Sequence, residues 1–258
     1  MPPTEIIALA AAAALAGAIN AIAGGGTLVT FPALLFFGTA PIVANATSTV
    51  ALVIGTAGSI FGFRQQLRAV WPWFVRFVLV SAVGGFLGSL LLTRTAPGVF
   101  ERLVPFLILF ATVLFLAQGA FRRFAGFGGN ADGASVHERH VWIAVVFQFA
   151  VSIYGGYFGA GIGILMLASL GFLGLRDIHQ MNALKNALGS LINLVAAAWF
   201  IASGLIDWPK AGVMTVGALS GYYIGAHFSQ RIPQVATRRL ITGIGFTISA
   251  VMFYRQFR

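Results

Sequence analysis

The sequence predicts an all-α integral membrane protein of about ten helical segments, built as two inverted repeats of five. Three observations predict it. The 258 residues are 59% hydrophobic and only 9% charged, whereas soluble domains carry about a quarter charged residues, so no water-facing surface can be assembled from them. Apolar runs, many close to the roughly 20 residues that cross a hydrocarbon core of about 30 Å, fill most of the length. Finally, the second half of the chain resembles the first when moved back by 137 positions.

The first segment covers 5 to 23. Glu5 is the only charge at its start and no basic stretch precedes it, so it reads as a retained helix rather than a secretory leader. The second, at 27 to 38, is short: twelve helical residues reach only about 18 Å. The third, fourth and fifth lie at 43 to 63, 70 to 93 and 99 to 119. A second set follows at 140 to 158, 161 to 174, 178 to 203, 209 to 229 and 237 to 254. Between the sets, residues 120–139 contain Arg122, Arg139 and a Gly-Phe-Gly-Gly-Asn-Ala-Asp-Gly run, the composition of a polar, flexible linker. The expectation is one membrane domain over 1–258, made of repeat 1 (5–119) and repeat 2 (140–254).

The duplication rests on specific matches. Gly24, Gly26, Asn45 and Ala46 meet Gly161, Gly163, Asn182 and Ala183. Trp71-Pro72 falls on Trp208-Pro209, both at a helix start, where proline is tolerated. Gly84, Gly88, Arg94 and Arg102 meet Gly221, Gly225, Arg231 and Arg239. Whether the copies are inverted depends on the short second segment. If it returns across the membrane, each half makes an odd number of crossings and the halves are inverted; if it continues the first, they are parallel. Positive residues gather in cytoplasmic loops, and the odd count places ten loop cations on one side against five on the other. Arg64 and Arg68 become Ile201 and Leu205 in the second copy, a loss of charge expected of a loop facing outward. Both observations favour inversion, with both termini outside.

A formal charge of +10 would suggest nucleic acid in a soluble protein, but here arginine is spread through inter-helix loops and reads as a topology signal, with no nucleic-acid partner. There are no cysteines, hence no disulfide, thiol nucleophile or Cys-based metal site. No metal ligand spacing or Gly-x-Ser-x-Gly elbow occurs, so neither an enzyme nor a cofactor is expected.

The strongest local feature is Gly24-Gly25-Gly26-Thr27 and its counterpart Gly159-Ala160-Gly161-Ile162-Gly163. Glycine disfavours helix by about 1 kcal/mol per position, and non-helical backbone inside a bilayer must be buried in protein or line a wet cavity. The helices that follow would then begin at mid-membrane with free N–H groups and a positive dipole end, an anion-binding arrangement. The plainer alternative is that these glycines serve close helix packing. A polar patch opens the third segment of each half: Asn45, Thr47, Ser48 and Thr49 in one, Asn182, Lys185 and Asn186 in the other. Such residues also cap or bridge helices. Lys185, about two turns into its segment, is costly to bury and so reads as functional or paired, unless it snorkels. All acidic residues fall at segment ends or in loops, which argues against cation transport. His227, the one imidazole inside an apolar segment, reads as a packed core residue.

The glycine break followed by Pro32, Leu34 and Gly38 and then Ala44-Asn45-Ala46-Thr47-Ser48, repeated more loosely after Gly159, resembles the sulfite exporter TauE/SafE family over nearly the whole chain. The second copy departs from that pattern: Ser169 stands at the position of Pro32, and Leu184-Lys185-Asn186 at that of Thr47-Ser48-Thr49. The resemblance implies a multi-pass protein of the bacterial cytoplasmic membrane that exports sulfite, sulfoacetate or a related sulfur-containing anion. The expected partners are thus a small anion and the lipid bilayer, with a homo-oligomer left open. The expected binding set is Gly24, Gly25, Gly26, Thr27, Asn45, Thr47, Ser48, Gly161, Gly163, Asn182, Lys185 and Asn186. A passive anion channel and a membrane-bound accessory subunit or enzyme are the rival readings.

Overall fold

A computed structural model describes residues 1–22, 25–62, 64–127, 138–171, 178–228 and 234–256. Among these there are eleven helices and no strand: α1 (Pro3–Ile22), α2 (Thr27–Phe36), α3 (Pro41–Gly62), α4 (Arg64–Ala69), α5 (Trp71–Arg94), α6 (Pro97–Phe127), α7 (Glu138–Tyr157), α8 (Ile162–Gly171), α9 (Ile178–Ala202), α10 (Trp208–Phe228) and α11 (Gln234–Gln256). Stretches in α1, α5, α6 and α9 are long and apolar enough to cross a membrane unaided. Large apolar side chains such as Leu79, Leu91, Phe106, Trp142 and Val216 are exposed on the outside of the bundle, where only lipid is a suitable solvent.

The helices differ from the expected segments in three details. Beyond the ten expected segments there is α4, which occupies a supposed loop; its Leu67 packs against a buried cluster that includes Val70, Phe77 and Met181, and Arg68 in its last turn complements the helix dipole. The linker is shorter than 120–139, because α6 runs on to Phe127 and α7 starts at Glu138. Arg122 and Arg123 end the apolar run, but a helix is free to continue past the point where its side chains become polar. The short segments are also trimmed: α2 and α8 each hold ten residues.

Proline and tryptophan set several helix starts. Pro41 and Pro97 open α3 and α6, and the matched Trp-Pro pairs open α5 and α10, because the first turn needs no N–H from proline. Helix starts at Pro41 and Ile178, Trp71 and Trp208, and Pro97 and Gln234 are each 137 positions apart.

The most extensive helix contacts are α1 with α10 and α5 with α7. If the halves correspond, these are one contact made twice, with the opening helix of each half packed on the fourth segment of the other. Small residues permit the approach. Gly217, Gly221 and Gly225 lie against the backbone of Ala10, Ala14 and Ala18, and Gly84 and Gly88 lie against the α7 backbone at Phe149 and Ile153. A side chain at any of these glycines would overlap those atoms.

Two helix pairs whose starts lie 137 positions apart meet directly, and both run antiparallel. In α3 and α9, Ser190 Oγ donates to the Thr56 carbonyl (3.1 Å) while Val50 and Val53 cluster with Ala197. In α6 and α11, Ser249 Oγ donates to the Pro105 carbonyl (2.7 Å) and Gly245 lies on Thr112.

The short helices double back. Gly155 touches Ile162, and Ser169 Oγ donates to the Ala144 carbonyl (3.3 Å), so α8 returns alongside α7. Gly26 lies against Ala16, and Lys210 joins Glu5 to Phe37 and Thr39, so α2 ends beside the start of α1. Neither is the second piece of a straight, interrupted helix.

Candidate functional site

The two glycine breaks turn the chain into these hairpins. In the first, Gly24 lies outside the described residues. Gly25 has φ +95°, a conformation open to glycine but strained for other residues, and it faces the ring of Phe115. The Gly26 N–H donates to Asn20 Oδ1 (2.6 Å), and the Gly26 carbonyl accepts from the Val29 and Thr30 amides. Asn20, a residue with no distinguishing mark in the sequence pattern, thus occupies an amide that the glycine break alone leaves open to an anion. Thr27 opens α2 half-buried.

In the second break, Gly159 and Gly161 have φ +78° and +77°. The Phe158 and Gly159 amides close onto the Tyr154 carbonyl (2.9 and 3.2 Å), and the Tyr154 hydroxyl donates to the Ala160 carbonyl (2.7 Å). Ile162 and Ile164 donate to the Gly159 and Gly161 carbonyls. The amides of Gly161 and Gly163 donate to no acceptor among the described residues.

The breaks approach each other. Gly25 lies on Phe115, while Gly161 lies on Ala111 and Leu114; these α6 residues fall within one helical turn, about 6 Å of rise. Phe31 of α2 also meets Phe158 edge to face, with ring centroids 5.3 Å apart.

The polar residues are divided between this region and helix bracing. Asn45, 1% exposed, donates through Nδ2 to the Tyr157 carbonyl at the edge of the second break (3.1 Å), and its buried Oδ1 has no hydrogen-bond partner among the described residues. Ser48 shares a 2.6 Å hydrogen bond with Thr30, whose hydroxyl also reaches the Gly26 carbonyl. Thr47 is drawn elsewhere: its hydroxyl accepts the Asp207 N–H ahead of α10 (3.1 Å). Thr49 bonds back to the Asn45 carbonyl. On α9, Lys185 is half-buried and its aliphatic stem lies over Gly163; a Cβ there would sit 3.4 Å from Lys185 Cδ. Asn182 and Asn186 are half-buried near it on the same helix. The side chain of His227 is outside the described ones.

The arrangement therefore gathers the second break, Lys185 and Asn45 near the first break on one wall of α6. Unsatisfied amide donors with a cation beside the start of a helix suit a negatively charged ligand.

The sequence model of the family described as "Sulfite exporter TauE/SafE" matches residues 9–252. The chain belongs to the sulfite exporter TauE/SafE family. Among its relatives, a "Probable membrane transporter protein" of Haemophilus influenzae is 30% identical over 94% of this chain and 92% of its own. "Probable membrane transporter protein YfcA" of Escherichia coli strain K12 is 27% identical over 93% of this chain and 85% of its own. "Probable membrane transporter protein YunE" of Bacillus subtilis is 25% identical over 84% and 86%. No solved structure matches the chain significantly. Like these TauE/SafE relatives, the protein is a membrane transporter.

Proposed function

We propose that this transporter moves a small sulfur-containing anion, sulfite or an organosulfonate such as sulfoacetate, outward across the bacterial cytoplasmic membrane, using two halves related as inverted repeats. The observation that carries the reading is the convergence of two glycine breaks on Ala111–Phe115, with the Gly161 and Gly163 amides and Lys185 on one side. Donors of this kind stabilise an oxyanion without a bound cation.

Inversion is supported by direction. An axis lying in the membrane plane makes equivalent helices run oppositely, as α3 and α9 and α6 and α11 do. An axis along the membrane normal would make them parallel. Alternating access then follows from rocking one half on the other about the shared site. For an anion leaving a negative cytoplasm, the potential contributes about 2.3 kcal/mol per charge per 100 mV, so export needs no coupled ion.

The test is anion flux in proteoliposomes, with sulfite, sulfoacetate, thiosulfate, sulfate and taurine as substrates. Saturable flux of the sulfur oxyanions is expected, with at least a tenfold loss in Lys185→Ala, about the 1.4 kcal/mol that a single lost charge contact exceeds. Unchanged flux in that variant would remove Lys185 from the site, and absence of flux for every anion would overturn the reading.

A further inference from the structure

The two breaks are braced by side chains of the preceding helix, each six residues ahead of the group it holds, but the braces have opposite electrostatic consequences. Asn20 Oδ1 accepts the Gly26 N–H and so consumes a donor. The Tyr154 hydroxyl donates to the Ala160 carbonyl at 2.7 Å and so consumes an acceptor. The first brace makes its break less attractive to an anion, the second more so.

The second brace also sets a direction. The Ala160 carbonyl and the Gly161 N–H belong to one peptide unit. No cis peptide is present among the described residues, and in a planar trans peptide the C=O and N–H point opposite ways. Holding the carbonyl on Tyr154 therefore turns the Gly161 N–H away from it, and that N–H meets no acceptor among the described residues. Rotation of this unit turns ψ of Ala160 and φ of Gly161, and Gly161, at φ +77°, accepts either sign of φ, so the backbone offers little resistance of its own on that side. Tyr154 supplies it, with its ring fixed edge-on against Phe110 at 5.4 Å between centroids.

A second feature of the same break points to a ligand. Asn45 grips the neighbouring Tyr157 carbonyl through Nδ2, is 1% exposed, and keeps a buried Oδ1 without a partner among the described residues. A buried amide left half-satisfied is costly and is explained if something with a donor, such as a hydroxyl-bearing oxyanion, completes it. Asn45 thus brings an acceptor to the edge of the same break whose Gly161 and Gly163 amides are donors.

We infer that Tyr154 is a positioning residue for anion transport: it pins the Ala160–Gly161 peptide so that an N–H, rather than a C=O, faces the anion. This rests on the anion reading above. Without the hydroxyl the unit is free to turn over, and a carbonyl oxygen then takes the place of the donor, replacing attraction by repulsion.

Tyr154→Phe keeps the ring and removes only the hydroxyl. In proteoliposomes its KM for sulfite should rise about tenfold or more, while its maximal rate stays within about twofold and its melting temperature falls only by the roughly 2–4 °C that one lost hydrogen bond accounts for. A merely structural role would lower the amount of active protein and the maximal rate and leave KM alone; that result overturns the inference, as does a wild-type KM. Because a variant is sometimes lost to misfolding, the wild type supplies a second readout. Addition of sulfite should shift the Gly161 amide proton downfield and slow its exchange, and a Gly161 amide indifferent to saturating sulfite overturns the role. A wild type that neither binds nor moves any tested anion fails earlier, at the proposed function, so the two failures are told apart by the wild-type flux.

Discussion

Lys210→Met should be among the most destabilising single substitutions at the ends of the helices, although the sequence places this lysine among ordinary loop cations. Its ammonium lies 3.0 Å from Glu5 Oε1, 2.9 Å from Thr39 Oγ1, 3.4 Å from the Phe37 carbonyl and 3.7 Å from Asp207 Oδ2. One cation thereby ties the start of α1 and the end of α2 to the start of α10. The Lys210 and Glu5 side chains are only 12% and 11% exposed, which removes the solvent screening that reduces surface pairs to about 0.2–1 kcal/mol. Removing one partner of a buried pair costs about 3–5 kcal/mol, because the remaining charge is stranded. The low end applies here, since Asp207 is 28% exposed and remains partly hydrated.

A loss of about 3 kcal/mol corresponds to a fall in melting temperature of roughly 6–12 °C for a chain of this size. Tryptophan fluorescence during thermal unfolding in detergent reads it, since the chain has five tryptophans. Glu5→Gln keeps an oxygen to accept from Lys210, and Asp207 still offsets the cation, so its loss should be about half as large. Glu5→Leu with Lys210→Met strands no charge at the pair and should melt closer to wild type than Lys210→Met alone. Additive losses in the double variant, or a Lys210→Met shift under about 2 °C, would refute the claim that the pair is coupled and buried.

Other consequences are sharper in direction than in size. Gly221→Leu drives a side chain into the Ala14 backbone and should destabilise by about 1–3 kcal/mol or more, whereas Gly212→Ala, with open space around it, should be neutral or stabilise by up to about 1 kcal/mol; thermal melts compare them. Gly25→Ala combines φ +95° with the Phe115 ring, so it should reduce anion flux and stability together, measured by flux per folded transporter and by melting. The cysteine-free chain permits a direct test of inversion. Ala96→Cys, between α5 and α6, and Ser203→Cys, between α9 and α10, should react with an impermeant thiol reagent from the same side of sealed vesicles; labelling from opposite sides would require parallel halves.

Much of the fold is legible without coordinates because lipid tolerates few solutions. An apolar run as long as 70 to 93 is a helix, since the alternative that satisfies backbone in hydrocarbon, a closed β-barrel, uses strands of only about 9–11 residues, and Trp71-Pro72 and Trp208-Pro209 mark two helix starts to within one residue of the expected bounds. Gly84, Gly88, Gly221 and Gly225 match under the 137-position shift, and packing gives them a common role: they are where the helices touch. The ends of α6 and the existence of α4 are not legible, because hydropathy reports where apolar side chains stop and not where helical hydrogen bonding stops. In the candidate site, Lys185 over Gly163 and Asn45 beside the second break fall among residues singled out from sequence. Asn20, Tyr154 and Lys210 do not, since nothing in their local spacing distinguishes a brace from an ordinary amphipathic side chain.

By itself, then, the sequence determines a helical membrane protein of doubled pattern, with glycine breaks at 24 to 26 and 159 to 163 and a lysine placed where a bare charge is expensive. These follow from composition and local preference, which act within a few residues. Only the tertiary structure decides that α2 and α8 fold back on α1 and α7, that the breaks meet on α6, and that the Gly26 amide is occupied while those of Gly161 and Gly163 find no acceptor among the described residues. Those outcomes depend on which atoms lie within 3 or 4 Å across the chain, a matter of hydrogen-bond and van der Waals reach that no one-dimensional pattern encodes.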